Sequence, residues 1–279
     1  IFKDGKYIGT YGINEITYEE MIRKMVGRDL GDIYNNLDKN KKIGEVLLEV
    51  KNLKTNFVKD VSFTLRKGEI LGFSGLVGAG RTETARAIVG ADKLLSGEIY
   101  LEGKRINIRS PKDAMKNGIV LVPEDRKTQG ILQNFDVGKN ITIGSLDINS
   151  SKMGVLNKKK EKKMIEEGIS QFRIKTPNAE KKITELSGGN QQKAIVARWM
   201  ATKPKVLILD EPTKGIDVGA KSEFYNMICE FAKQGLGIIL ISSEMPEIMG
   251  LADRIIVMKS RKISGEVSGK DATEEKLLK

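Results

Sequence analysis

Short apolar runs recur along the chain from residue 46 onward. They stand at residues 46–50, 70–73, 119–122, 206–209, 238–241 and 255–258. Helical stretches separate several of them, and one is clearly bounded. It has Ser110 as its cap, Pro111 at its first position and Gly118 just past its end. Strands that alternate with helices predict an α/β domain with a largely parallel sheet.

One stretch departs from this alternation. Within residues 157–173, Ile165, Ile169 and Phe172 recur at helical spacing among many charged residues. This pattern predicts a helical insertion that covers less of the core. No apolar run approaches the roughly 20 residues that a membrane-spanning helix requires.

The two ends of the chain resemble each other. Residues 1–9 read Ile-Phe-Lys-Asp-Gly-Lys-Tyr-Ile-Gly, and residues 257–265 read Val-Met-Lys-Ser-Arg-Lys-Ile-Ser-Gly. Both predict a strand, a tight turn and a strand, and an acidic helix start follows each. Either two hairpins are similar by chance, or residues 1–30 are the tail of a preceding homologous domain.

These ends suggest a division of the chain. Residues 31–44 are polar and predict a linker, and residues 45–279 predict the main domain. The first residue is Ile rather than Met, so we expect the chain to be a piece of a longer protein.

Composition excludes several classes of site. The chain has no histidine and a single cysteine, Cys229, which excludes histidine metal sites, Ser-His triads and an internal disulfide. The formal net charge of +11 could indicate nucleic acid or an anionic membrane surface. A lysine-rich solvated surface is the alternative, and we favour it because the run at 158–163 mixes both signs.

The first motif with chemical meaning is glycine-rich. Residues 75–82 read Gly-Leu-Val-Gly-Ala-Gly-Arg-Thr, between a predicted strand and a helix. Glycines let backbone N–H groups face phosphate oxygens, and the helix presents its positive end to the same anion. A plain glycine-rich turn is the alternative. The predicted phosphate-binding residues are Gly75, Gly78, Ala79, Gly80, Arg81, Thr82 and Glu83, and the Thr82 hydroxyl is also a predicted Mg²⁺ ligand.

The second motif ends an apolar strand with two carboxylates, Asp210 and Glu211. In phosphoryl-transfer sites the first carboxylate holds Mg²⁺ and the second polarises the attacking water. Solvated acids at a strand end are the alternative. The phosphate loop upstream in the same domain favours the catalytic interpretation.

The third motif, residues 186–193, reads Leu-Ser-Gly-Gly-Asn-Gln-Gln-Lys. A serine and two glycines at a helix start form an anion site, although a plain capped helix is the alternative. The motif resembles the signature motif of ABC ATPases. The resemblance implies that Ser187, Gly188, Gly189 and Gln191 contact the γ-phosphate of ATP held by a second cassette.

Further segments resemble the sugar-import branch of that family, which serves ribose, galactose, xylose and similar substrates. They are residues 122–127, 215–221 and 241–247. The resemblance implies a P-loop NTPase fold of ABC-ATPase type, with a small antiparallel β portion near 46–72 and a helical subdomain near 130–190. It also implies ATP and Mg²⁺ as cofactors.

The implied partners are the N-terminal cassette of the same polypeptide, membrane permease subunits and, indirectly, a sugar-binding protein, without nucleic acid. The implied location is the cytoplasmic face of the membrane.

Three residues depart from an active cassette of this family. Arg81 replaces the loop lysine, Glu124 replaces a glutamine, and Ser243 replaces a histidine. Such changes are typical of the second cassette, so we expect weak turnover here and a signature motif that completes the partner's site. Glu211 is retained, and Glu124 joins Thr82 and Asp210 as a predicted metal ligand.

A DNA- or ribosome-associated ABC ATPase is the alternative that the net charge suggests. The single cysteine and the absence of long heptads count against it.

Overall fold

The computed structural model describes residues 1–3, 5–26, 34, 37–39, 42–151 and 154–278. The strands are β1 Phe2–Lys3, β2 Lys6–Tyr7, β3 Val46–Lys54, β4 Val61–Arg66, β5 Ile70–Ser74, β6 Ser96–Leu101, β7 Lys104–Ile106, β8 Ile119–Val122, β9 Val206–Asp210, β10 Gly237–Ile241, β11 Arg254–Lys259 and β12 Lys262–Ser268. The helices are α1 Tyr18–Val26, α2 Arg81–Ile88, α3 Pro111–Lys116, α4 Val137–Thr142, α5 Leu146–Asn149, α6 Lys158–Gln171, α7 Gly188–Met200, α8 Val218–Lys233, α9 Met245–Leu251 and α10 Glu274–Leu278.

A six-stranded sheet forms the centre, in the order β12-β11-β5-β10-β9-β8. Its strands pair in parallel from β11 to β8, and β12 is an antiparallel edge. The prediction of a largely parallel sheet is confirmed. Strands β5, β9 and β10 are buried along their whole length, which explains why they read as continuous apolar runs.

A second, antiparallel sheet has the order β4-β3-β6-β7. The predicted antiparallel portion near 46–72 is confirmed for β3 and β4, whereas β5 crosses to the parallel sheet. The sequence analysis did not identify β6 and β7, which complete this sheet. Only Ile99 and Leu101 of these two strands are buried, so neither strand reads as an apolar run.

Two hydrophobic clusters lie on opposite faces of the parallel sheet. Leu71, Phe73 and Ile239 pack with the antiparallel sheet and α2. Leu207 of β9 and Leu240 of β10 pack with the helices of the other face, as do the residues two positions away from them, Leu209 and Ile238. This alternation follows from the two-residue period of strands, and it gives the sheet an apolar layer on each side.

The predicted helical insertion is present as α6, and its Gly168 packs against Ile141 of α4. Helices α4, α6 and α7 contact one another, so this portion is a small bundle on one side of the sheet. Among the described residues, no helix is long and apolar enough to cross a membrane.

The predicted hairpins are found at both ends. Strands β1 and β2 pair as Phe2↔Tyr7, and β11 and β12 pair across Lys259↔Lys262. The assignment of residues 1–30 to a preceding domain, and of 31–44 to a linker, stays a prediction. Residues 4, 27–33, 35–36 and 40–41 of these two segments lie outside the described residues.

Tyr34 and Leu37, from the segment predicted to be a polar linker, pack against the main domain. The Tyr34 ring stacks on Tyr225 of α8 with centroids 5.4 Å apart. Gly250 of α9 makes this contact possible, because a Cβ there would lie 2.2 Å from the Tyr34 ring. Two side chains of this segment are therefore anchored to the core.

Candidate functional site

The predicted phosphate and metal residues meet at the carboxyl ends of the parallel strands. The glycine loop follows β5, Asp210 ends β9, and Ser243 follows the end of β10. Ligands of open α/β sheets bind at this edge. Thr82, Glu124 and Asp210, the three predicted metal ligands, line one cavity of about 330 Å³.

The glycine loop has a backbone that other residues would strain. Gly75 has φ +145°, and a Cβ there would lie 2.4 Å from the carbonyl oxygen of Met258. Gly80, at φ +104°, caps the start of α2. The tip of the loop is open, since Leu76 and Val77 are exposed. The N-terminal N–H groups of α2 thus lie beside an accessible loop, the arrangement that binds phosphate.

Arg81 is the first residue of α2, and its side chain is buried. Its guanidinium donates a hydrogen bond to the carbonyl oxygen of Ser242 at 2.6 Å. It also lies 3.7 Å from Oε1 of Glu211, and both side chains are about 9% exposed. The charge of Arg81 is thus directed toward the predicted catalytic carboxylate.

Asp210 has features expected of a cation ligand. The residue is 2% exposed, and its buried Oδ1 has no hydrogen-bond partner within the described ranges of the chain. Burial, together with the nearby charges of Glu124 and Glu211, raises the pKa of Asp210 to about 7, and a hydrogen bond with Thr82 opposes the shift. A divalent cation beside Oδ1 would supply the missing partner, and oxygen ligands suit Mg²⁺. Asp210 and Thr82 therefore fit the implied metal.

Glu124 faces the same cavity, but its carboxylate forms an ion pair with Lys214 at 2.7 Å. In the described part of the chain, no cluster of three or more His, Cys, Asp or Glu residues could hold a metal. A cation at Asp210 would therefore have the Thr82 hydroxyl and bound ligands to complete its coordination.

Glu211 adopts a left-handed backbone, with φ +46°. Its N–H donates to the carbonyl oxygen of Ile241, and its Oε2 accepts a hydrogen bond from the Ser243 hydroxyl at 3.0 Å. With Arg81 on the other carboxylate oxygen, the Glu211 side chain is held from two sides.

The signature residues have a different set of neighbours from the phosphate loop. A Cβ at Gly188 would lie 2.8 Å from the Arg126 guanidinium, and one at Gly189 would lie 2.8 Å from Cβ of Ala220. The Ser187 hydroxyl accepts a hydrogen bond from Asn190 at 2.9 Å. The structure thus places these residues at the start of α7, in surroundings separate from those of Gly75 and Gly80.

Gln191 is buried, and its amide is engaged within the chain. It donates to the carbonyl oxygens of Ile183 and Leu186, at 3.3 and 3.0 Å, and accepts from Nε of Arg126 at 3.2 Å. These bonds fix the segment that precedes the signature serine. The predicted nucleotide contact of Gln191 is untested.

Glu247, a buried carboxyl group beside the site, was not identified from the sequence. Glu247 is 1% exposed and accepts a hydrogen bond from the Thr213 hydroxyl at 2.8 Å. Burial raises the pKa of Glu247, and hydrogen bonds with Ser242, Thr213 and Tyr225 oppose that shift. Glu247 therefore joins the loop after β9 to the loop after β10. In the sequence it resembles an ordinary acid at a helix start.

Arg198 is a second buried group that the sequence did not indicate. Its guanidinium donates to the carbonyl oxygens of Gly130 and Asn140 and to Oδ1 of Asn140. Burial lowers the pKa of Arg198 to about 10. Together with the Arg126–Gln191 bond, it attaches α7 to the residues that follow Glu124.

Comparison with known proteins agrees with this geometry. The family described as ABC transporter matches residues 58–214, more than half of the chain. The chain belongs to the ABC transporter family. It is 49% identical over 281 residues to the arabinose import ATP-binding protein AraG of Mannheimia succiniciproducens. It is 48% identical over 280 residues to the ribose import ATP-binding protein RbsA of Clostridium tetani.

Both alignments cover 100% of this chain but 56% and 55% of the relatives, so the chain spans about half their length. Among solved structures, cbiO1 of Clostridium perfringens, part of an ABC transporter complex, superposes with a TM-score of 0.70 at 26% identity. That match covers 84% of this chain and 92% of the other. The ABC-ATPase fold expected from the motifs is confirmed.

Proposed function

We propose that this chain is the ATP-binding, ATP-hydrolysing domain of a sugar importer. The observation that carries the proposal is that the open glycine loop and buried Asp210 meet at one sheet edge, where Oδ1 of Asp210 lacks a hydrogen-bond partner from the residues that the structure describes. The names of the relatives, which refer to arabinose and ribose import, support sugars as the cargo.

In this proposal the N–H groups of the loop and of the first turn of α2 hold the phosphates. Thr82 and Asp210 hold Mg²⁺, which neutralises phosphate charge when it is bound. Glu211 orients the attacking water. Because Arg81 and Ser243 both hold the Glu211 carboxylate, the site turns ATP over slowly.

The signature segment acts on a second site. Ser187 and the N–H groups of Gly188 and Gly189 lie at the positive end of α7, away from the neighbours of this chain's own loop. In a closed pair of cassettes they face the γ-phosphate held by the partner. Residues 1–30 belong to that partner, a preceding cassette of the same polypeptide, joined through residues 31–44.

The cavity beside Asp210 supports contact with a membrane permease. Its lining includes the apolar residues Val89, Met115 and Trp199. The indole N–H of Trp199 is buried and, among the described residues, has no hydrogen-bond partner. An apolar side chain of a permease segment would pack on these lining residues. The domain then works at the cytoplasmic face of the membrane, with a sugar-binding protein on the opposite side.

Titration calorimetry with Mg²⁺ and ATP tests the proposal. We expect a dissociation constant in the micromolar to millimolar range, about −4 to −8 kcal/mol. Asp210→Asn should weaken the Mg²⁺-dependent part of binding, whereas Asp147→Asn, an exposed acid in α5, should not. Absence of heat at millimolar ATP together with no thermal shift would refute nucleotide binding.

A further inference from the structure

The two hairpins of the chain differ in the sequences of their loops. Each has a two-residue loop, between Lys3 and Lys6 and between Lys259 and Lys262. The first loop has the sequence Asp-Gly, and Gly5 has φ +75°. Such turns favour Asp-Gly or Asn-Gly, because glycine adopts positive φ without steric cost.

The second loop is Ser260–Arg261, with φ values of +52° and +68°. Arg261 occupies the position that Gly5 has in the first hairpin. A long side chain in this backbone conformation is uncommon and costs stability. Glycine would adopt the backbone conformation of Arg261 without steric cost, so the turn itself does not explain the arginine side chain.

Arg261 lies directly on the glycine loop. Its N–H donates to the carbonyl oxygen of Ala79 at 3.0 Å, and its own carbonyl accepts from the N–H of Lys59 at 2.8 Å. Its Cα is 3.1 Å from where a Cβ of Gly80 would stand. The backbone of Arg261 is thus fixed against Ala79 and Gly80, immediately before α2 begins.

The Arg261 side chain is exposed, and its guanidinium makes no hydrogen bond or ion pair with the part of the chain that the structure describes. In contrast, the guanidinium of Arg81 is bonded to Ser242 and paired with Glu211. The cation of the loop itself, Arg81, is thus engaged with Ser242 and Glu211. Arg261, whose backbone lies on the loop, has a guanidinium that no described residue engages.

We propose that Arg261 is a nucleotide-binding residue whose guanidinium contacts the phosphates of the ligand. It supplies at the loop the positive charge that Arg81 directs to Glu211. Charge-assisted hydrogen bonds from guanidinium to phosphate are strong, which explains why an arginine is retained in an unfavourable backbone conformation. The inference rests on the proposed binding of ATP by this chain.

The test compares Arg261→Gly with Ser260→Gly in the 279-residue chain. Both substitutions relieve positive φ in the same turn, so both should raise the melting temperature or leave it unchanged. Only the first removes the cation. We expect Arg261→Gly to weaken Mg-ATP binding about tenfold and to reduce its salt dependence, with Ser260→Gly unchanged. Binding of adenosine, which has no phosphate, should be equal in all three proteins.

Equal Mg-ATP affinities for the two variants would overturn the role of Arg261. The same would follow if Arg261→Gly weakened adenosine binding as much as Mg-ATP binding. If the unsubstituted chain itself bound no Mg-ATP, the proposed function would fail first, and that failure is distinguishable from this one. A lower melting temperature in Arg261→Gly would indicate a structural role and would also contradict the inference.

Discussion

Arg81 donates a hydrogen bond to the Ser242 carbonyl at 2.6 Å and lies 3.7 Å from Glu211, the predicted general base. A planar guanidinium can make both contacts at once, whereas a compact ammonium would face phosphate as a point charge. Arg81 thereby joins α2 to the ends of β9 and β10. Such a contact on the predicted general base would slow hydrolysis.

We therefore predict that the chain hydrolyses ATP slowly and that Arg81→Lys with Ser243→His raises the rate at least about tenfold. Arg81→Lys removes the guanidinium beside Oε1 of Glu211. Ser243→His replaces the hydroxyl that donates a hydrogen bond to Oε2. Steady-state phosphate release measures the effect, with the exposed Arg105→Lys as a control. Adding Glu211→Gln should abolish the gain. An unchanged rate in the double variant would remove this explanation.

Glu247 should make stability depend on pH. Its pKa is raised in the folded state, so it favours folding below the unfolded pKa of about 4.3, and this contribution is lost as pH rises through the folded pKa. Glu247→Gln should therefore gain stability relative to the unsubstituted chain as pH rises. Denaturant unfolding at several pH values measures this difference, and the exposed Glu167→Gln should show no such trend.

Replacing Glu247 with leucine removes the acceptor for three hydroxyl groups. We expect a loss of about 3–5 kcal/mol at all pH values, because these groups remain buried. A Glu247→Leu chain as stable as the original would show that the network contributes nothing.

Gln191 could act by stabilising the fold or by contacting the nucleotide of this chain. Because its amide bonds two carbonyl groups within the chain, we expect Gln191→Ala to cost about 1–2 kcal/mol of unfolding free energy. The affinity of the chain for Mg-ATP should stay within about twofold. Calorimetry and thermal unfolding measure both, with exposed Gln133→Ala as the control. A large drop in affinity with normal stability would assign Gln191 directly to this chain's nucleotide.

Tyr34 anchors the segment that joins the two predicted domains. Its ring stacks on Tyr225 and packs on Gly250, whereas its hydroxyl lies at the 3.5 Å limit of a hydrogen bond. Tyr34→Ala should therefore cost about 2 kcal/mol, and Tyr34→Phe should cost less than about 0.5 kcal/mol. Chemical denaturation distinguishes them, and equal stabilities for the two variants would contradict this packing.

The sequence predicted those features that are local along the chain. The glycine loop, the Asp210–Glu211 pair and the apolar strand runs each lie within a few residues, and their spacing alone indicates their structure. Glu247 was missed because its partners Thr213 and Tyr225 come from other elements, 34 residues away in the case of Thr213. Arg198 was missed for the same reason, since Gly130 precedes it by 68 residues. In the sequence such residues cannot be distinguished from charged surface residues, because their partners are distant along the chain.

The segment from 31 to 44 shows a related limit. Its composition is polar, which predicts a solvated linker, but single aromatic and aliphatic residues can anchor such a segment. Tyr34 does so on α8 and α9, and Leu37 packs against the same hydrophobic cluster, which forms only when the chain folds.

The most direct test of the division of labour compares Ser187→Arg with Arg81→Ala in the two-cassette protein that we propose. Transport-coupled ATPase activity with its permease is measured. Blocking the signature contact should cost ~3 kcal/mol, about a hundredfold in rate, because that contact stabilises the charge that develops on the partner's γ-phosphate. Arg81→Ala should cost less, since Arg81 faces Glu211 in a site that we propose to be slow. If Arg81→Ala is the more damaging change, this chain's own site drives the cycle, and the account is contradicted.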